Sequence, residues 1–321
     1  MKTRAFVVVS NGETSVVDGW DLPEPGPGQV LVKIFACGLN FADLLMIKGE
    51  YQETPSFPFV LGMEICGEVT QVGPEVSDLG IGDRIGAFCG SGGLAEFAVI
   101  DAARCHRAAP GMDDATVAGF QIAYGTSHLA LTRRARLQPG ETLAVLGAAG
   151  GVGLTAVEIG KALGARVIGV ARGTEKQAIA AKAGADLTID ADTDDLRSAL
   201  KSAGPVNVVY DAVGGALGEA AMRALAPEGR FLVIGFASGD IPKPRANHLL
   251  VKNIDVIGFY WGGYLAFSPN TLTDSLSELM TWHADGRLHP HISHTLPFDQ
   301  IETGLDLLRT RKATGKVVIT L

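Results

Sequence analysis

Residues 142–171 read TLAVLGAAGGVGLTAVEIGKALGARVIGVA. An apolar run (142–148) predicts a buried strand. LTAVEIGKAL (154–163) predicts a helix that stops at Gly164, and ARVIGVA predicts a second strand. Between strand and helix lies Gly147-Ala148-Ala149-Gly150-Gly151-Val152-Gly153. Gly150 and Gly151 let backbone N–H groups approach a pyrophosphate, and Gly153 lets helix and strand pack closely. The helix N-terminus adds the positive end of its dipole. A strict Gly-x-Gly-x-x-Gly would start at Ala148, so the loop is a relative of that pattern, and a tight packing turn without ligand is the alternative reading. No Gly-Lys-Ser/Thr follows, which excludes a P-loop. The strand–loop–helix–strand context points to a dinucleotide site. Ala149, Gly150, Gly151, Val152 and Gly153 are its candidate contacts.

The second strand ends at Val170-Ala171, where a site selective for NAD usually carries Asp or Glu for the ribose 2′-hydroxyl. Arg172 and Lys176 follow instead. A 2′-phosphate would be repelled by a carboxylate, while a guanidinium can grip it with two parallel hydrogen bonds. The expectation is therefore NADPH; the competing reading is that both cations are solvated surface charges.

Outward from this unit, strands and helices keep alternating: EKQAIAAKA, DLTID, DLRSALKSA, VNVVYDAV, GEAAMRAL and GRFLVIGFA, with NIDVIGFYW (253–261) as a candidate edge strand. Continuous apolar strands separated by helices imply a parallel sheet covered on both faces. Residues 1–110 differ. QVLVKIFA (29–36), EICGEVTQV (64–72) and later short runs between glycine and proline turns predict an antiparallel, barrel-like unit, with one short helix near Phe41–Ile47.

At 321 residues two domains are expected. A hydrophobic share of 47% with only 19% charged residues describes a soluble globular chain. A net charge of −8 argues against nucleic-acid or anionic-membrane binding. No apolar run reaches the ~18 residues of a membrane span, and the start lacks a signal-peptide core. Cys37, Cys66, Cys89 and Cys105 match no metal or redox spacing and read as buried thiols in a reducing compartment, so the cytoplasm is expected. LHPHISH holds His289, His291 and His294, but Pro290 and the lack of a carboxylate weaken a metal reading. DADTDD (190–195) lacks the glycine and terminal Glu of a calcium loop, and no Gly-x-Ser-x-Gly elbow supports a hydrolase.

GLNFADLLMIKGEY (38–51), PFVLGMEICGEVTQVG (58–73), GDRIGAF (82–88), AYGTSHLAL (123–131), the glycine loop, YDAVGG (210–215) and RKATGKVV (311–318) together resemble the medium-chain dehydrogenase/reductase superfamily. They are most similar to its zinc-independent, zeta-crystallin-like quinone oxidoreductases. The resemblance spans essentially the whole chain. It implies an α/β protein with a GroES-like β-barrel catalytic domain, residues 1–120 and a return segment 256–321, around a Rossmann NADPH-binding domain, 121–255. The positions of the superfamily's catalytic zinc ligands align with Asn40, Met63 and Ala118, none a strong zinc donor, so no zinc is expected.

Without a Lewis acid, the implied acceptor is already electrophilic: a quinone or an α,β-unsaturated carbonyl. The resemblance makes Asn40 and Tyr51 the catalytic candidates, with Asn40 also near the nicotinamide. Tyr51 as a buried aromatic with a satisfied hydroxyl is the competing reading. The resemblance places Thr126, Val213, Phe236, Ser238 and Arg311 along the cofactor, and Tyr51, Met63, Tyr260 and Trp261 in the substrate pocket. Asp43 and Glu64 read as hydrogen-bond anchors. Ala191 stands where some relatives stack a tyrosine on adenine. A 2-alkenal or enoyl-thioester reductase fits the same motifs, and a non-catalytic NADPH-binding protein, crystallin-like or RNA-binding, is the alternative of another class. A homodimer through Rossmann edge strands is the expected assembly.

Overall fold

Unbroken apolar strands such as Thr142–Leu146, every residue of it buried, need cover on both faces, and the helices between them supply it. The computed structural model describes residues Met1–Leu321. The chain begins with β1 (Lys2–Ser10), β2 (Glu13–Asp21), β3 (Gln29–Leu39), α1 (Phe41–Ile47), β4 (Phe59–Val60), β5 (Glu64–Val72), β6 (Arg84–Phe88), β7 (Phe97–Asp101) and β8 (Cys105–Arg107). It continues with α2 (Asp114–Leu129), β9 (Thr142–Leu146), α3 (Gly151–Ala162), β10 (Arg166–Ala171), α4 (Gly173–Lys182), β11 (Leu187–Asp190), α5 (Leu196–Ser202) and β12 (Val206–Asp211). Then follow α6 (Gly215–Ala224), β13 (Leu225–Val233), α7 (Ala246–Lys252), β14 (Asp255–Gly258), α8 (Tyr264–Phe267), α9 (Pro269–Ala284), β15 (Ile292–Pro297), α10 (Ile301–Arg309) and β16 (Lys316–Thr320). No helix is long and apolar enough to cross a membrane.

The chain divides into two units, Met1–Ile122 with His291–Leu321, and Ala123–Pro290. The second unit holds one six-stranded parallel sheet in the order β11-β10-β9-β12-β13-β14. Numbered within the unit, this is the 3-2-1-4-5-6 order of a Rossmann sheet, with its direction reversing between β9 and β12. Leu146, Val170, Val209 and Phe231 sit in its core with Leu200 and Met222 from the helices. Each such fully buried side chain contributes about 1.5–3 kcal/mol. NIDVIGFYW does supply the edge strand, β14.

The first unit holds a three-stranded sheet, β2-β1-β4, and a seven-stranded one in the order β15-β16-β3-β5-β6-β8, with β7 also on β3. The pairings do not join these strands into one closed ring. β1 pairs only with β2 and β4, apart from a single Ala5–Ala95 bridge. Register shifts bend β3 against β5 between Leu31 and Val32 and between Ile34 and Ala36. The C-terminal strand lies antiparallel to β3 with Val317 opposite Leu39 and Ile319 opposite Cys37.

Residues 256–290 group with the sheet unit, and His291–Leu321 group with the first. Side-chain and backbone bonds hold this stretch in place. On α9, Ser275 Oγ lies 2.8 Å from His128 Nδ1, and the Trp282 ring packs edge-on against the same imidazole. Arg287 donates to the Ala162 carbonyl at 2.9 Å, and the His289 amide donates to Glu158 Oε1 at 3.0 Å.

Candidate active site

In the Rossmann unit the loop Gly147–Gly153 leaves β9 beside the end of β10, where Ala148 N–H donates to the Val170 carbonyl at 3.1 Å. Gly147 turns with φ +70°, a left-handed conformation that favours glycine. A Cβ on Gly153 would stand 2.1 Å from the Gly147 carbonyl oxygen, so only glycine lets α3 start this close to the loop. Gly150 is the N-cap of α3 and offers no side-chain cap, leaving the amides of Gly151, Val152 and Gly153 for another acceptor. This is an anion cradle by backbone geometry.

The loop is braced by a buried network that the sequence reading missed. Ser127 Oγ donates to the Val152 carbonyl at 2.9 Å and meets Thr155 Oγ1 at 2.8 Å and Tyr210 Oη at 3.0 Å. Thr155 Oγ1 donates to the Ala123 carbonyl at 2.9 Å. Thr126, one residue before Ser127, is buried on α2. Asp211, at the end of β12, takes the amides of Val213 and Gly214 on Oδ1, both at 2.8 Å. Burial raises its pKa, while those two amides pull it back. The resulting turn sets Val213 against the cradle: a Cβ on Gly147 would meet Val213 Cγ2 at 3.0 Å. Ser238 N–H donates to the Val213 carbonyl at 2.8 Å, and Phe236 packs beside Gly214. Val213 thus lies next to the glycine loop, with Ser238 bonded to its backbone and Phe236 against the following residue, Gly214.

Arg172 is the N-cap residue of α4, immediately after β10, and Lys176 is half-buried in the first turns of that helix. The corner is less purely basic than it reads. Arg172 Nε donates to Asp192 Oδ1 at 2.9 Å, with both side chains more than half exposed. Asp190 accepts from Gln177 Nε2 at 3.0 Å and from the Asp192 amide at 3.0 Å. An exposed pair of this kind is worth ~0–1 kcal/mol, less than a bidentate bond to a phosphate dianion, so it holds Arg172 in place without blocking it. Ala191 follows β11, its amide on the Ala171 carbonyl. Trp261 is buried, its ring against the backbone of Gly125, and the Tyr260 ring packs on Gly262 and Gly263.

In the first unit the candidate catalytic residue Asn40 sits at the start of α1 in a buried polar cluster. The pairing of Val317 with Leu39 brings Lys316 opposite it. Lys316 Nζ donates to Asn40 Oδ1 at 2.7 Å, Glu64 Oε1 at 2.7 Å and the Leu39 carbonyl at 2.8 Å. Asn40 Nδ2 donates to the Gly38 carbonyl at 3.2 Å and to Glu64 Oε1 at 3.1 Å, and Glu64 Oε2 takes the Ile122 amide at 3.0 Å. Both amide hydrogens of Asn40 are thereby used, and its free capacity is a lone pair on Oδ1.

Asp43 takes the Asn40 amide on Oδ2 at 2.7 Å. Burial pushes its pKa up to about 7, against the opposing pull of the Asn40 amide and the Lys316 charge. Asp43 and Glu64 are therefore anchors of Asn40. Sequence reasoning missed Lys316 as a member of this cluster; it lies within RKATGKVV, where nothing local marks it as buried. Tyr51 is half-buried in the turn after α1, its carbonyl taking the amide and hydroxyl of Thr54. Met63 is buried beside Glu64. Arg311 adopts φ +56° in the turn after α10.

Comparison with known proteins agrees with both halves of this description. Residues 26–110 match the alcohol dehydrogenase GroES-like domain, and residues 151–282 match the zinc-binding dehydrogenase family. A quinone oxidoreductase-like protein 2 homolog of Nematostella vectensis is 38% identical over 98% of this chain and 88% of its own length. The quinone oxidoreductase of Thermus thermophilus, whose structures include a complex with NADPH, matches with a TM-score of 0.87 at 31% identity, over 99% of this chain and 100% of that one. A mycobacterial protein solved with NADPH matches with a TM-score of 0.92 at 27% identity, again over 99% and 100%. Sequence likeness of this extent, on this fold, means that the chain belongs to the medium-chain dehydrogenase/reductase superfamily, among its quinone oxidoreductase-like proteins.

Proposed function

We propose that this protein is an NADPH-dependent reductase that needs no metal and delivers two electrons to a quinone. The observation that carries the reading is the cluster around Asn40. At the three positions aligned with zinc ligands stand Asn40, Met63 and Ala118, and the Lys316 ammonium lies 2.7 Å from Asn40 Oδ1. Neither the donor set nor the adjacent cation fits a catalytic zinc, so no step runs through one. The cradle, by contrast, fits a dinucleotide. The amides of Gly151, Val152 and Gly153 would take the pyrophosphate, Val213, Phe236 and Ser238 would flank the cofactor, and Arg172 with Lys176 would take a 2′-phosphate.

NADPH, when bound, supplies the hydride. The protein's own contribution is positioning and a fixed polar frame, which can account for a large share of a barrier reduction. Asn40 acts as an acceptor through Oδ1, because its N–H donors are held by Gly38 and Glu64. Tyr51 is the candidate donor to the oxygen that gains charge as the acceptor is reduced. Met63 on the first unit and, separately, Tyr260 and Trp261 on the second are the residues assigned to an apolar acceptor, and Arg311 on the first is assigned to the cofactor. The protein works as a homodimer through β14, whose outer edge is unpaired in the sheet order; a monomeric mass in sedimentation would refute that part alone.

The reading is tested by NADPH oxidation in metal-chelated buffer with a quinone, a 2-alkenal and an enoyl thioester. Quinone turnover unaffected by chelation is expected. Turnover of only the enal or thioester would move the substrate assignment, and no turnover with any acceptor despite NADPH binding would remove the enzyme reading.

A further inference from the structure

The Rossmann unit carries a second concave site that the reductase reading does not use. A groove of about 290 Å³ is lined by Arg197, Arg223, Lys243, Arg245, His248 and Lys252, with Met222, Val251 and Ile254 among its apolar surfaces. Its walls follow from the local chain path. The loop after β13 crosses the start of α6, where the Gly215 amide donates to the Asp240 carbonyl at 2.9 Å. It then passes Glu219, whose Oε1 takes the Lys243 amide at 3.4 Å. At the far end Lys252 Nζ donates to the carbonyls of Arg223 and Leu225 at 2.9 and 2.7 Å, closing α7 onto the end of α6.

The charge here is unbalanced. Five permanent cations and His248 surround one carboxylate, Glu219, in a chain whose net charge is −8. Glu219 lies 3.6 Å from Arg223. Of the five groove cations, Arg223 alone has a carboxylate within 4 Å. Asp195 accepts from the Ser198 amide and hydroxyl at 2.9 and 2.6 Å, and the Arg197 charge adds to the pull that lowers its pKa. Burial, then the charges of Lys201 and Arg197, lowers the pKa of Lys252. Five cations gathered around a single carboxylate over an apolar floor repel each other unless an anion enters.

We propose that this groove binds a multivalent phosphate-class anion, gripped by Arg197, Arg223 and Arg245 with Lys243 and Lys252 at its ends. Guanidinium forks match phosphate oxygens two at a time, and a phosphate ester near neutral pH carries close to two charges for them to neutralise. Met222, Val251 and Ile254 would take the organic part of such a ligand. The assignment does not depend on the reductase reading, because the groove residues lie outside the glycine cradle and its flanking turn.

The experiment is calorimetric titration of the full chain, saturated with NADPH to occupy the cradle, with inorganic pyrophosphate. A parallel arm measures sedimentation with vesicles of phosphatidylglycerol and phosphatidylcholine. The expected result is pyrophosphate binding that weakens at least about tenfold in R197E/R245E, falls in the neutral R197Q/R245Q, and tightens in E219Q, which keeps the fold but removes the only groove acid. Binding of vesicles alone, lost in R197E/R245E, assigns the phosphate to a lipid headgroup. No binding in either arm, or binding unchanged in both charge variants while NADPH affinity is retained, overturns the proposal. A chain that fails to bind NADPH would leave the groove titration readable, so failure of one reading is separable from failure of the other.

Discussion

Replacing Lys316 with Met removes the positive charge from the centre of the Asn40 cluster while keeping most of the side chain's volume. Glu64 is fully buried, and in the variant its carboxylate keeps only the Ile122 amide and Asn40 Nδ2 as donors. Breaking a buried, hydrogen-bonded ion pair by deleting one partner costs about 3–5 kcal/mol, chiefly because the other charge stays buried without compensation. Lys316→Met should therefore lower the urea stability of the first unit by that amount, Glu64→Gln by a similar amount, and the double variant by much less than their sum. The cycle is read from urea unfolding followed by circular dichroism, and Asn40 supplies an independent readout. Loss of the 2.7 Å bond to Lys316 leaves its carboxamide held only through Nδ2 and removes the charge beside Oδ1, so kcat should fall more than KM rises. A Lys316→Met variant within about 1 kcal/mol of the parent, or strictly additive single effects, would refute the claim that the ammonium compensates Glu64.

Other consequences can be tested separately. Asp43, with a pKa raised from 3.8 to about 7, binds a proton more readily in the folded chain than in the unfolded one. Its contribution is therefore complete below the ordinary carboxylate range and is lost as pH rises toward 7, up to about 4 kcal/mol; Asp43→Asn should flatten the stability profile between those pH values in urea titrations. Gly153→Ala places a Cβ 2.1 Å from the Gly147 oxygen, a backbone atom, and should weaken NADPH binding at least about tenfold in fluorescence titration. Arg172→Ala should raise the KM for NADPH and leave that for NADH nearly unchanged. Asp192→Asn, which releases Arg172 from its 2.9 Å partner, should instead tighten NADPH modestly, and equal effects on both cofactors would reduce the corner to surface charge.

Much of the Rossmann unit was legible because its signals are local. Apolar strands such as TLAVL and VNVVY, broken by helices that stop at glycines, fix the alternation without reference to distant residues. Helix α2 was not legible as a helix. Gln121, Ser127 and His128 are buried along with its apolar residues, so no polar face marks a helical period. Lys316 escaped for a related reason. A lysine at the start of a short strand reads as a surface charge, and only the register that sets Val317 against Leu39 shows it entering the core. Sheet closure and the division at residue 290 depend on pairings and side-chain bonds between distant segments, such as Ser275 with His128, which no window of sequence contains. The Arg172 corner was half legible: the cation is in the sequence next to Ala171, but its partner Asp192 comes from the following strand–helix connection.

The most direct test of the central claim is a single-turnover experiment in which the metal-chelated protein, preloaded with NADPH, is mixed with a simple benzoquinone. The account predicts one rapid, stoichiometric oxidation of bound NADPH, slowed in Lys316→Met and unaltered by added zinc. Bound NADPH that persists on mixing, or that is oxidised only when zinc is restored, would contradict it.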